Sequence, residues 1–247
     1  MALVPFTLAH PAAVLPLRRT GLPMLALVAG SVAPDLVLFV HVGVSYHQTH
    51  SLVGVLTWDV LIGVLLAAAW VWLLWGPLVD AAPGSLRDRL PHPHRTGPRW
   101  WLIAVPTFAI GAATHVLWDS FTHVDGWWVQ RAQWLRDGTP PVYKLSQYAS
   151  GAVGLAIIAV ACWMLLRRRP VVPVARVLPR LAPWVWGAPL IAVGAATVLA
   201  LREFAVQPTW PIEYRIYYLV VMTLSAAATA LGEVALIWQV VRRVVRR

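Results

Sequence analysis

The sequence predicts an all-α protein, a polytopic membrane helical bundle of about six transmembrane helices with a short N-terminal re-entrant or interfacial helix. Three observations carry that expectation. Hydrophobic residues make up 59 % of the 247 residues and charged residues only 12 %, too apolar a balance for an ordinary soluble domain. Six stretches approach the roughly 20 apolar residues that a helix needs to cross a bilayer. The cationic residues fall mostly between those stretches, as membrane loops require.

Residues 3–17 form an apolar run broken by Pro5, Pro11 and Pro16, which argue against a long straight helix, so the run reads as re-entrant or interfacial. Its first charges, Arg18 and Arg19, follow the apolar stretch instead of preceding it. That is the reverse of a cleavable signal peptide, and the segment reads as retained. The predicted spans are then 22–44, 51–75, 100–118, 150–166, 184–201 and 214–241. Residues 45–50 are barely a turn and make the first two spans a tight helical hairpin. The connections 77–98, 119–148, 167–183 and 203–211 carry the Pro, Arg and Gly expected of loops. The chain reads as a single membrane domain, 1–247, with a motif-bearing core over 1–166 and a C-terminal transmembrane helix pair over 184–247.

Lys and Arg number 20 against 10 Asp and Glu, a formal net charge of +10. Such a balance often signals nucleic acid, but cations gathered between apolar spans fit membrane topology instead, and no nucleic-acid partner is expected. With the N-terminus in the cytoplasm, the inner side receives Arg18, Arg19, Arg87, Arg89, Arg95, Arg99, Arg167, Arg168, Arg169, Arg176, Arg180, Arg242, Arg243, Arg246 and Arg247. The outer side receives only Arg131, Arg136, Lys144, Arg202 and Arg215. This asymmetry places both termini in the cytoplasm. Trp75, Trp100, Trp101, Trp118, Trp127, Trp128, Trp184, Trp186 and Trp210 lie at or beside predicted helix ends and read as headgroup-level anchors. Cys162, the single cysteine, can form no intrachain disulfide.

On that topology the polar groups gather at the outer face. Asp35 lies toward the outer end of the first span, His47 and His50 in the hairpin turn, and His115, Asp119 and His123 at the end of the third. His115, Asp119 and His123 follow one another at i, i+4 spacing, so a helix continuing to His123 would align all three on one stripe. Ionisable side chains at such places are expensive, and neutral imidazoles with carboxylates are the ligand types of zinc or another divalent transition metal. Plainer readings stand beside this one. His115 and Asp119 can form a helix-terminal hydrogen-bonded pair, Asp35 can pair with an Arg or an indole, and residues 47–51 can be a polar hairpin with Ser51 near a helix start. On the simple topology His10 is cytoplasmic and distant. A re-entrant 3–17 would bring it inward.

His92 and His94, in the Pro- and Arg-rich inner loop, read as solvated. Asp59, nine residues after His50, falls on nearly the opposite helix face and reads as a partner for another span. Glu233, among small residues of the last span, reads as an interhelical hydrogen-bonding group or, secondarily, a proton carrier. No Gly-x-Ser-x-Gly elbow, Walker loop or dinucleotide fingerprint is present, which removes support for serine-nucleophile and nucleotide mechanisms.

The motifs Pro5-Phe6-Thr7-Leu8-Ala9-His10-Pro11-Ala12-Ala13, Gly30-Ser31-Val32-Ala33-Pro34-Asp35, His50-Ser51-Leu52-Val53-Gly54 and residues 111–123 resemble, in order and spacing, the bacterial integral-membrane family catalogued as domain of unknown function 4184. More distantly, the series Thr-His, Pro-Asp, His-Ser and His-x-x-x-Asp is similar to inner-membrane metal-dependent hydrolases and to the zinc-dependent phospholipase C fold. That resemblance implies ligation by His10, Asp35, His50, His115 and Asp119, with His123 in the place of a further histidine. The later His-x-x-x-Glu segment of the phospholipase pattern is missing here, so one or two metals are the most these residues support.

The resulting expectation is a metal-dependent, hydrolase-like protein of the bacterial cytoplasmic membrane. It would act at the outer face on an ester or phosphoester, lipid-linked where the site meets the headgroups, with zinc as the metal. Asp125 or Asp35 would be the general base. Membrane lipids are the expected partners. The competing expectation is a non-enzymatic transporter or assembly protein in which the cluster is structural and Asp59 and Glu233 are intramembrane polar contacts.

Overall fold

The computed structural model describes residues 7–40, 43–90 and 96–245, and all regular structure among them is helical. His92 and His94 lie outside the described residues. Helix α1 (Met24–Val32) runs into a 3-10 turn, Ala33–Leu38. It is followed by α2 (Trp58–Ala81), α3 (Pro98–Thr122), α4 (Val142–Arg167), α5 (Ala182–Val206) and α6 (Ile212–Val245). The helices α2 to α6 are long and apolar enough to cross a membrane. Leu102, Leu190 and Ile191 on these helices are more than half exposed, as lipid-facing side chains are and a soluble surface seldom is.

The first predicted span, 22–44, is shorter than expected: Met24–Leu38 is an apolar helix below crossing length. Pro34, at the start of the 3-10 turn, has no N–H for the α-helical ladder, and the tighter turn takes over there. Ahead of it, the short helical turns Thr7–Ala9, Pro11–Val14 and Leu15–Arg19 lead to a reversal at 20–23, where Gly21 has φ +81°. The Thr7 hydroxyl donates to Asp35 Oδ2 at 2.6 Å. The N-terminal turns and Met24–Leu38 therefore form a helical hairpin with Thr7 and Asp35 at its open end.

Two compact units emerge. One comprises Met1–Ala67 and Thr96–Trp163, the other Ala68–Arg95 and Met164–Arg247. Among the described residues, 68–90 group with the C-terminal helices.

In the first unit α1 packs along α3 over Ala26, Ala29, Ala104 and Phe108, joined by Ala67. Small residues permit a close approach. A Cβ at Gly30 would run into the Phe108 carbonyl, and one at Gly111 into the Leu27 carbonyl. This contact sets the distance between Ser31 on one helix and His115 on the other.

In the second unit the buried Asp80 carboxylate accepts from the backbone amides of Val177 and Leu178 and from Trp238 Nε1. Ala81, Ala182 and Val185 pack beside it. Residues Ala69–Leu74 form a π turn, a widened turn whose carbonyls are poorly served by the helix itself. Gln239 Nε2 donates to two of them, Trp72 and Leu73, at 2.9 and 3.0 Å. Glu233 is exposed on α6.

Candidate metal centre

Three local structures deliver the group Asp35, His50, His115 and Asp119, all in the first unit. The 3-10 turn at the end of α1 presents Asp35. Helix α3 runs unbroken through His115 and Asp119 and ends at Thr122, which puts His123 just past its last turn. Its interior Pro106 is far enough upstream to leave the i, i+4 stripe intact.

His50 is held by serine caps. Ser45 and Gln48 form a capping box for the short helix Tyr46–Thr49, and the Ser51 hydroxyl accepts from the Gly54 amide to start Leu52–Leu56. Two short helices separated by capping serines leave His50 at the joint between them. Thr49 Oγ1 donates to the Pro34 carbonyl at 2.8 Å, which ties this joint to the turn bearing Asp35. The His50 ring stacks on Tyr46 at 3.7 Å. Burial, with Asp119 and Asp35 nearby, pushes the Tyr46 hydroxyl above its usual pKa, so it stays neutral.

Asp35, His50, His115 and Asp119 converge, each with one ligand atom within 4.8 Å of the others. His115 Nε2 lies 3.5 Å from Asp35 Oδ1 and 3.2 Å from Asp119 Oδ2. His50 Nε2 lies 3.7 and 3.4 Å from the same two oxygens. Ligands about 2.0–2.1 Å from a tetrahedral zinc stand about 3.3–3.4 Å apart, the same scale.

The hydrogen bonds at Nδ1 show which ring nitrogens are left to face the carboxylates. His115 Nδ1 meets the Ser31 carbonyl at 2.8 Å and His50 Nδ1 the Tyr46 carbonyl at 3.0 Å. A carbonyl only accepts, so both Nδ1 atoms carry protons, and in the neutral ring Nε2 presents a lone pair. Buried Nε2 of His50, Nε2 of His115 and both Asp119 oxygens have no hydrogen bond of acceptable geometry. Lone pairs and carboxylate oxygens facing each other this closely repel unless a cation lies between them. Nδ1–H held by a backbone carbonyl with Nε2 free is the arrangement of metal-ligating histidines. The buried group can therefore hold a metal ion, and two carboxylates with two neutral imidazoles match a divalent charge.

The structure also brings His10 and His123 to this cluster. His10 Nε2 is 3.4 Å from Asp119 Oδ1, and its ring stacks on His115 at 3.7 Å. Burial and the neighbouring His115 hold the His10 pKa down to about 4, so the ring is neutral at pH 7. His123 Nδ1 is 3.3 Å from Asp119 Oδ1. A straight N-terminal run would leave His10 at the opposite end of α3; the hairpin returns it. Asp125 is exposed on the turn after α3, and His47 is exposed on its short helix. Asp59 is wholly buried on α2 with neither oxygen hydrogen-bonded.

A cavity of about 420 Å³ adjoins the cluster, lined at its polar end by His10, Asp35, Asp119, His123 and Gln147 and along its length by residues such as Ala13, Trp118, Val153 and Ile157. Trp118, read from the sequence as an anchor, thus also lines the cavity, and its indole N–H donates to Ser150 Oγ at 3.2 Å. Thr7, Ser31, Tyr46, Thr49 and Gln147 are the supporting residues that pattern reading did not assign. Thr7 and Ser31 stood inside the quoted motifs around His10 and Asp35, but without an assigned role.

The chain belongs to the family described as Domain of unknown function (DUF4184), whose profile matches residues 4–242. No curated protein and no solved structure matches the chain. The likeness to metal-dependent hydrolases is not shown by these comparisons and rests on the motif series.

Proposed function

We propose that the protein is a metal-dependent hydrolase that acts on an ester or phosphoester at the outer face of a bacterial cytoplasmic membrane, with zinc as the metal. One observation supports this reading above the others: a buried set of imidazoles and carboxylates with unpartnered Nε2 and Oδ atoms borders a cavity of ligand size. A divalent cation bound there would supply Lewis-acid polarisation of the scissile group and acidify a water at neutral pH.

The chain's own residues would do the rest. Thr7 fixes the Asp35 carboxylate through Oδ2, and Ser31 and Tyr46 fix the imidazole tautomers. Asp35 is committed on both oxygens, which leaves the exposed Asp125 as the acid for general-base work. The apolar lining past Trp118 suits an amphiphile whose polar head lies at the cluster and whose chain lies along α4, in keeping with a lipid-linked substrate.

A second reading has its own support. Four protein ligands can close a tetrahedron, and closed sites are characteristically structural. The metal would then hold α1, α3 and the His50 joint together without turnover.

Metal analysis of detergent-purified protein, with hydrolysis of soluble and lipid-linked phosphoesters, tests both. The enzymatic reading expects stoichiometric metal and a chelator-sensitive activity that zinc restores and that Asp35→Asn loses. Stoichiometric metal without hydrolysis of any substrate would leave the structural reading. Metal-free protein that cannot be loaded would sink both.

A further inference from the structure

The cavity beside the cluster runs along one flank of α4. The buried residues of this helix are Gln147, Gly151 and Gly154, a single narrow stripe. At Gly154 the approach to the N-terminal turns is close, since a Cβ there would meet Ala9 at 3.0 Å. Next to that stripe Ala149, Val153 and Ile157 follow one another at i, i+4 spacing and line the cavity. All three are also exposed, Val153 at 57 % and Ile157 at 47 %. Among the described residues the cavity therefore opens sideways past α4, and its opening is continuous with the lipid-facing surface of a helix apolar and long enough to cross a membrane. We propose that it is a side groove for one hydrocarbon chain of a membrane lipid, entered from the bilayer between α4 and the turn Pro11–Val14, with the lipid's head at the cluster. The groove deepens the hydrolase reading by naming how a substrate would arrive, and rests on that reading for the chemistry at the head.

Polarity changes along the groove as an amphiphile requires. Near His123, whose Nε2 lies 3.0 Å from the Gln147 amide, α4 contributes Ser146, Gln147 and Ser150, and farther along only Val153, Gly154 and Ile157. The facing wall of Ala9, Ala12 and Ala13 is apolar throughout. Trp118 stands where the polar lining ends, half-exposed, with its indole N–H on Ser150 Oγ. That is the depth at which an indole settles between headgroups and hydrocarbon.

Length and volume point to a single chain. From Gln147 to Ile157 the helix rises about 15 Å at 1.5 Å per residue, half of a hydrocarbon core about 30 Å thick. The groove is thus one leaflet deep. Its volume of about 420 Å³ lies near the low end of ligand sites, which run from about 300 to 1,000 Å³, and fits one chain but not a pair. A chain that leaves the bilayer for this groove exchanges one apolar surrounding for another, so it gains little hydrophobic free energy. What the groove supplies is position: a chain held at one depth holds its head at one place against the cluster.

The test uses the full chain in phosphatidylcholine nanodiscs doped with a phosphatidylglycerol whose acyl chain carries a diazirine near its middle. After illumination, adducts mapped by mass spectrometry should gather at Val153 and Ile157 over Leu155, which is exposed on α4 but outside the cavity. Ala13→Phe and Ala149→Phe fill the cavity from opposite walls, and each should lose the Val153 and Ile157 adducts. Ala152→Phe, exposed on α4 away from the cavity, should keep them. Val153→Cys in a Cys162→Ser background should resist an impermeant maleimide. Equal adducts at Val153 and Leu155 that survive both cavity-filling variants would overturn the groove. Maleimide labelling of Val153→Cys would overturn it too, because the cavity would then be aqueous. Groove adducts on a protein that hydrolyses nothing would retain the chain site and sink the hydrolase reading, whereas hydrolysis without groove adducts would overturn the chain site alone. Should one cavity-filling variant fail to fold, the other and the wild-type adduct pattern still decide.

Discussion

His115 Nδ1 lies 2.8 Å from the carbonyl oxygen of Ser31, a residue eighty-four positions earlier in the chain. The carbonyl is available because of Pro34. In the 3-10 turn that follows α1, the amide three residues on would take the Ser31 carbonyl, and at that position stands a residue with no N–H. One proline thus shortens the first apolar helix, presents Asp35, and leaves a backbone acceptor that fixes the tautomer of a histidine on another helix.

Pro34→Ala follows from this relationship. The new amide competes for the Ser31 carbonyl, so the His115 ring loses its fixed orientation. Chelator competition on purified protein should show metal affinity reduced by about 10-fold or more, with helical content unchanged by circular dichroism. Unchanged affinity would mean that the Ser31 contact does not orient His115.

Gly30 and Gly111 set the approach of α1 to α3 and touch no ligand. Gly111→Val has nowhere to put its side chain except into the Leu27 carbonyl. Separation of the two helices should lower stability by about 1–3 kcal/mol and cost metal binding although every ligand remains. Gly97→Ala, at a position with open space around it, should change neither. The measurements are thermal unfolding in detergent and metal content of the folded fraction.

Much of this was legible in the sequence, and the parts that were not share a cause. Helix type and the five long spans follow from apolar length, and the His115, Asp119, His123 stripe from the helical period, because both are local properties. The length of the first span was misjudged since hydropathy counts Pro34 as one more residue in an apolar run, whereas its missing N–H changes the turn type. Thr7, Ser31 and Gln147 meet their partners over separations of 28, 84 and 24 residues. No spacing rule reaches so far, and a backbone carbonyl such as that of Ser31 leaves no trace in residue identity at all. His10 could be read as a ligand only by resemblance, because the hairpin that returns it is a tertiary feature.

Thr7 supplies the clearest test of a supporting side chain. Its hydroxyl, in a residue 4 % exposed, donates to Asp35 Oδ2. Thr7→Val keeps the volume and removes the donor. Metal affinity should fall by about 10–100-fold with a change in thermal midpoint of only a few degrees, and Thr7→Ser should recover most of the affinity. Equal affinity in all three proteins would show that Asp35 needs no orienting partner.

Asp80 offers a contrast in the other unit. Three donors converge on its carboxylate from the 177–178 backbone and from Trp238. Asp80→Ala strands buried donors, each worth about 1–3 kcal/mol when left unpaired. Thermal unfolding should show a large loss of stability, while the fraction that remains folded keeps its full metal content. Proportional loss of metal from folded protein would place Asp80 in the function of the site.

The sidedness of the N-terminal hairpin is the most discriminating of these outcomes. His10 and Thr7 sit at the Asp119 end of α3, so residue 8 should share a membrane face with the loop that follows α3 and lie opposite the loop that precedes it. Leu8 is 62 % exposed and accepts a probe without entering the cluster. In a Cys162→Ser background, Leu8→Cys and Asp125→Cys should be labelled from the same side by an impermeant maleimide, and Ser85→Cys from the other. On the Arg asymmetry we propose that the Ser85 side is the cytoplasmic one. Labelling of Leu8→Cys together with Ser85→Cys would mean that the N-terminal turns cross to the inner face, separating His10 from Asp119. The group built by Asp35, His50, His115 and Asp119 would keep all of its members.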